Sequence, residues 1–281
     1  MPGDANDLED VRALEACWER LCSTAHKASE DEFRQLVKKW GEWRQLDPIS
    51  LPTDLLSPLG QEFREITHTQ LLAHFFNPRA AHQLGAEPLH ALLDCLYNIL
   101  KEEHASEAAV LKTLEGVDSA RVEAERTVRI QSGVGNENPR TDLWIEIPAS
   151  VPKVLIVIEN KIGDQARLNQ LKQYEQAIEK RLEQLGRKSI QPLVFRVYLT
   201  LEGEPPPQNS GEKQWFLTSY LVLGHLLMPV LSGERSPGRE MLRLYLATLF
   251  QKLYGLKWTD NPSAVRRGDL VHYLRTSLEN R

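Results

Sequence analysis

Apolar residues recur every three or four positions through the first part of the chain. Leu8, Val11, Leu14, Trp18 and Leu21 form one such series, and Phe33, Val37 and Trp40 a second. This period predicts two helices within Asp7 to Leu46, with Ser29 and the acidic residues after it as an N-cap between them. The proline-punctuated stretch from Pro48 to Pro58 reads as a connector. A further helix is predicted from Gln61 to Phe76, ended by Asn77-Pro78, and another from Leu89 to Leu100.

From Val122 the spacing becomes even: Val122, Ala124, Val128 and Ile130 predict a strand. Gly133 to Pro139 is turn-rich and leads into a second strand, Thr141 to Ile147. Pro148 to Pro152 turns the chain into the unbroken apolar run Val154 to Ile158, the pattern of a strand buried on both faces. Asp164 to Leu185 is a long amphipathic helix stopped by Gly186, and Leu193 to Thr200 is a fourth strand. After the Pro205 to Pro207 loop come a short strand at Trp215 to Leu217, a helix from Ser219, and helices at Glu240 to Leu253 and Ser263 to Leu278.

The order predicts an α/β protein in three parts. Residues 1–58 form a helical N-terminal annex, 59–218 the core, and 219–281 a helical C-terminal extension packed on that core. A length of 281 residues with 41% hydrophobic content suits this size of core. No apolar run is long enough to span a bilayer, and the polar, acidic start is unlike a secretory signal, so a cytoplasmic protein without membrane association is expected. Cys17, Cys22 and Cys95 are odd in number and lack metal-ligand spacing, so they read as reduced thiols. A net charge of −5 gives no global attraction to nucleic acid; a polyanionic partner needs local basic groups and metal ions.

Candidate chemistry concentrates between Arg140 and Lys161. At the end of the apolar run stand Glu159 and Lys161, and strand alternation points both to one side while Asn160 points to the other. Asp142 lies at the start of the preceding strand. Unpaired charges at the mouth of a buried strand are costly to desolvate, and a divalent cation offsets that cost. Mg2+ prefers oxygen ligands, usually one or two carboxylates, which Asp142 and Glu159 provide. Lys161 is placed to orient or help deprotonate an attacking water and to offset phosphate charge. The alternative is a strand-end ion pair between Glu159 and Lys161.

These residues resemble the PD-(D/E)XK nucleases, the restriction-endonuclease-like superfamily. Asp142 matches the aspartate and Glu159-Asn160-Lys161 the E-X-K, while Thr141 stands where the family name has proline. The likeness covers about Gln61 to Thr200 and is nearest to the branch of RecB-like and uncharacterised defence-associated nucleases. It implies an αβββαβ core with a mixed central sheet and cleavage of nucleic acid, with DNA favoured, by a water activated by Mg2+ or Mn2+. A 5′-phosphate and a 3′-hydroxyl are the implied products. Asp142, Glu159 and the Asn160 carbonyl are implied metal ligands, and Lys161 serves the water. REITHTQLLAHFFNP resembles the first-helix motif and brings in Glu65 as a further ligand, direct or through water. Gln170 and Tyr174 match a Q-x-x-x-Y pattern on the following helix and are implied to steady Lys161 or contact the backbone of the nucleic acid. Arg140 could reach a phosphate.

Other signals are weaker. His68, His74, His82 and His90 lack zinc-site spacing and read as capping or core residues. Trp40 and Trp43 with neighbouring basic residues read as helix packing, and the basic pairs at 180–181, 187–188 and 266–267 as solvated surface. The helix from Glu240 to Tyr254 is apolar over much of its circumference, which suits either burial within the chain or a homodimer. A competing function is a catalytically inactive nucleic-acid-binding or assembly protein that keeps the nuclease fold.

Overall fold

A computed structural model describes residues 30–41, 43–127, 140–163, 170–186, 192–206, 214–260 and 262–279. The side chains of residues 170, 184–186 and 264 lie outside that description. So do Ser29, the expected helix before it, Val128, Ile130 and the connector through Pro139.

The chain divides into two compact units. One contains the described residues of Met1–Ser50 and Leu256–Arg281. In it, residues 30–40 form a helix (α1). Its Trp40 meets Tyr273 of the C-terminal helix Ala264–Glu279 edge to face. Asp47, fully buried, accepts hydrogen bonds from the Tyr273 hydroxyl (2.8 Å), the Ser50 hydroxyl (2.9 Å) and the Ile49 N–H (3.2 Å). Burial pushes its carboxyl up despite these donors.

The second unit, Leu51–Gly255, holds the sheet. Its strands are β1 (Arg121–Thr127), β2 (Arg140–Ile147), β3 (Val154–Asn160), β4 (Leu193–Thr200) and β5 (Phe216–Ser219). They lie side by side in chain order, β1 to β3 antiparallel and β3 to β5 parallel. All seven residues of β3 are buried, as its continuous apolar run requires. Each aliphatic side chain so buried contributes about 1.5–3 kcal/mol.

The helices of this unit are α2 (Glu65–Phe76), α3 (Glu87–Leu100), α4 (Ala105–Lys112), α5 (Gln170–Gly186), α6 (Tyr220–Leu227) and α7 (Pro237–Ala247); the C-terminal helix is α8. On one face of the sheet, Leu171, Tyr174, Ala177 and Ile178 of α5 pack on Trp144, Leu155, Val157 and Tyr198. Glu146 fastens the same helix. It accepts two bonds from the Arg181 guanidinium (2.8 and 2.7 Å), one from Trp144 Nε1 (2.8 Å) and one from Arg126 (3.2 Å). Burial alone would raise the Glu146 carboxyl, but these donors hold it below its ordinary range.

Several expected boundaries move. α2 begins at Glu65 rather than Gln61, because Gln61 to Arg64 form a turn closed by Arg64 N–H on the Gln61 carbonyl (3.1 Å). The helix expected from Glu240 starts at Pro237, capped by the Ser236 side chain, and beyond Ala247 it widens into a π-helical turn, Thr248–Leu253. Leu242, Tyr245, Leu246, Leu249 and Phe250 of this segment are buried within the chain. Helix α4 was not anticipated; its only buried residues are Ala108 and Leu111, too few to mark a period. Among the described residues no helix is long and apolar enough to cross a membrane.

Candidate active site

Register places the carboxylates. β2 and β3 pair through Leu143↔Ile158, and one step further along both strands Asp142 stands opposite Glu159. Residues opposite each other on antiparallel strands share a face, here the face covered by α5. The Asp142 N–H donates to the Tyr174 hydroxyl (3.0 Å), and the Asn160 N–H donates to Asp142 Oδ2 (2.9 Å). The Tyr174 hydroxyl also lies against Glu159, where it draws the carboxyl down.

Glu159 has no exposed surface, and neither of its oxygens receives a well-aligned hydrogen bond. Lys161 Nζ lies 3.0 Å from its Oε1 as an ion-pair contact. Burial, and then the neighbouring Asp142 charge, push the Glu159 carboxyl up to about 8. Burial also raises Asp142, against the pull of the Asn160 N–H and Lys161. The Asp142 charge thus adds to burial in opposing ionisation of Glu159, and Lys161 works against both. Burial alone would lower the Lys161 ammonium, but Glu159, Asp142 and Glu65 together raise it, and it stays charged.

Glu65 is the first residue of α2, where a carboxylate also suits the positive end of the helix dipole. Its Oε2 lies 3.2 Å from Lys161 Nζ and its Oε1 accepts the Ile162 N–H (3.1 Å). Lys161, with its side chain only 13% exposed, thus sits between Glu159 and Glu65. Beside it the Lys161 N–H continues the parallel ladder onto the Leu199 carbonyl (2.8 Å).

Asn160 points to the other face of the sheet, toward α2. Its side-chain amide donates to the Glu65 carbonyl (3.1 Å) and the Thr69 hydroxyl (2.9 Å), and its Oδ1 accepts from the Tyr220 hydroxyl (2.5 Å). Thr69 and Tyr220 were not foreseen from the sequence. Thr69 follows Glu65 by four residues on one helix, a spacing that puts both on one face, whereas Tyr220 lies sixty positions beyond Asn160 and carries no local signal.

The structure therefore gathers Asp142, Glu159, Lys161, Glu65, Asn160 and Tyr174. It does not bring Arg140 to them: Arg140 pairs with Glu125 at the edge strand, where Glu125 adopts a left-handed backbone (φ 54°). The side chain of Gln170 lies outside the described residues. Of the four histidines, His68 is buried, donating from Nε2 to the Glu62 carbonyl (2.9 Å) with Nδ1 3.1 Å from the Tyr245 hydroxyl. His82 contacts the Asn77 carbonyl and accepts the Leu84 N–H.

Among the described residues no group of three or more His, Cys, Asp and Glu side chains is assembled around a common metal position. The pair Asp142 and Glu159 nevertheless suits a hard divalent ion. They are two oxygen donors facing each other, one with both oxygens buried and poorly satisfied.

Neither the curated proteins nor the solved structures supply a match to the chain. A family model described as the PD-(D/E)XK nuclease superfamily matches residues 53–247, which include every residue of the cluster and all five strands. With the mixed sheet and the opposed Asp142 and Glu159-Asn160-Lys161 already in place, this match over well more than half of the chain makes it a member of the PD-(D/E)XK nuclease superfamily.

Proposed function

We propose that the protein is a Mg2+- or Mn2+-dependent nuclease that hydrolyses phosphodiester bonds of DNA. The observation that carries this reading is the buried carboxyl pair, Asp142 and Glu159, with a charged Lys161 within 3.0 Å of Glu159. The family resemblance, rather than any feature of the site, favours DNA.

Asp142 and Glu159 would hold the ion, with the Asn160 carbonyl as a third donor by the family resemblance. When bound, the metal supplies positive charge against the phosphate and lowers the pKa of a water. The remaining work belongs to the chain. Lys161 keeps its proton, so it orients the attacking water and offsets the charge that grows on the phosphate oxygens. Glu65 holds the ammonium from its far side. Tyr174 fixes the start of β2 by accepting the Asp142 N–H. All of these groups come from one chain.

Incubating purified protein with plasmid and linear DNA in Mg2+ or Mn2+ tests the assignment. Cleavage that disappears in EDTA and in the Asp142→Asn and Lys161→Ala variants supports it. Cleavage that persists unchanged in those variants overturns it, and metal binding without any cleavage favours an inactive binding protein on the same fold.

A further inference from the structure

The side chain of Asn160, the middle residue of Glu159-Asn160-Lys161, has a complete set of partners on the face of the sheet away from the carboxyl pair. It is 1% exposed. Its amide nitrogen reaches two acceptors on α2, the Glu65 carbonyl and the Thr69 hydroxyl, and its amide oxygen takes the Tyr220 proton. A backbone carbonyl accepts only, so the Glu65 carbonyl fixes which way the amide faces. Rotated by half a turn, the amide would set oxygen against that carbonyl and lose the bond from Tyr220.

The same residue uses its backbone N–H on Asp142. It therefore ties three separate pieces of chain together: the start of β2, the first turn of α2, and the first residue of α6. The first turn of α2 also carries the Glu65 carboxylate, which meets Lys161 Nζ and the Ile162 N–H.

We propose that Asn160 and Tyr220 are positioning residues that set Glu65, and through it Lys161, in register with the Asp142 and Glu159 pair. This rests on the reading of Glu65 and Lys161 as working parts of the site. Tyr220 holds the amide, the amide holds the helix start, and the helix start delivers the carboxylate. Partners of this kind around a metal site typically change metal affinity or activity by about 10- to 100-fold when removed.

The test compares Tyr220→Phe, Asn160→Ala and Glu65→Gln, singly and paired. Tyr220→Phe keeps the buried ring and deletes only the donor. Its first readout needs neither metal nor substrate: hydrogen exchange at the Ile162 amide, which is bonded to Glu65, with the Ile156 amide in the middle of β3 as control. The expected result is exchange about tenfold faster at Ile162 in Tyr220→Phe and Asn160→Ala, with Ile156 unchanged. Unchanged exchange at Ile162, or equal acceleration at both amides, overturns the proposal.

The second readout is Mn2+ affinity and cleavage of DNA. If Asn160 acts through Glu65, the Asn160→Ala and Glu65→Gln pair loses no more than Glu65→Gln alone, whereas additive losses contradict it. Failure of the nuclease assignment shows differently: wild-type protein does not cut DNA, while the Ile162 result still stands or falls by itself.

Discussion

Asp142 and Glu159 face each other one step beyond the Leu143↔Ile158 pair, and Glu159 is wholly buried. Two carboxyls in that position cannot both ionise without a cation. Lys161 neutralises part of the charge from one side, and burial with the Asp142 charge favours a proton on Glu159.

This fixes the sign of a stability effect in the metal-free protein. The Glu159 carboxyl is raised from its ordinary value of 4.5 to about 8, so the folded chain keeps a proton that the unfolded chain has lost. Its contribution is full below pH 4.5, declines as the pH rises to about 8 and is flat above. Thermal unfolding in EDTA should therefore show Glu159→Gln gaining on wild type across that window, although the variant binds Mn2+ far more weakly. A wild-type advantage at pH 9 without metal would contradict the arrangement.

Removing the Tyr174 hydroxyl should separate support from chemistry. Tyr174→Phe leaves the ring buried among Trp144, Leu155 and Val157 but leaves the Asp142 N–H without its acceptor. A stability loss of about 1–3 kcal/mol is expected. Mn2+ affinity measured by calorimetry should weaken by about 10- to 100-fold. Unaltered affinity would show that the start of β2 is set by other contacts.

His68 provides an acid-sensitive point away from the carboxyl pair. Its Nε2 must donate to the Glu62 carbonyl, which leaves Nδ1 to accept from the Tyr245 hydroxyl. Burial lowers its pKa from 6.5 to about 4, so the unfolded chain takes up a proton that the folded chain refuses. The stability His68 contributes is present above pH 6.5 and lost as the pH falls toward 4, by about 3 kcal/mol in all. Denaturant titrations between pH 4 and 7 should show this slope in wild type and a shallower one in His68→Gln. Equal slopes would remove His68 from the account.

Glu146 should be among the most sensitive charged positions of the sheet. Glu146→Ala leaves the Arg181 guanidinium half-buried without its carboxylate and frees Trp144 Nε1, at a cost of about 3–5 kcal/mol in urea unfolding. A loss under 1 kcal/mol would mean that α5 is held by apolar contact alone.

The sheet was legible because its strands are buried in a simple way. Val154 to Ile158 is an unbroken apolar run, the pattern of a strand covered on both faces, Leu193 to Thr200 is apolar but for Arg196 and Thr200, and β3 and β4 follow them closely. The alternation that sends Glu159 and Asn160 to opposite faces was legible for the same reason. The partners of Asn160 were not. Thr69, Asn160 and Tyr220 are short polar or aromatic residues far apart in the chain, and their meeting depends on how α2 and α6 come onto the sheet. Arg140 read as a phosphate contact from its place beside Asp142, and alternation along β2 puts the two on one side, yet its guanidinium pairs with Glu125 of β1 instead. The π-helical turn after α7 likewise has no signature in a continuous apolar pattern.

The most direct measurement is a crystal structure of the protein soaked in Mn2+, with the anomalous signal of the metal recorded. The account predicts one strong peak bounded by carboxylate oxygens of both Asp142 and Glu159, at about 2.0–2.2 Å as for small oxygen-ligated divalent ions, with Lys161 alongside. A peak elsewhere in the molecule, or no peak at a Mn2+ concentration that supports DNA cleavage, would contradict it.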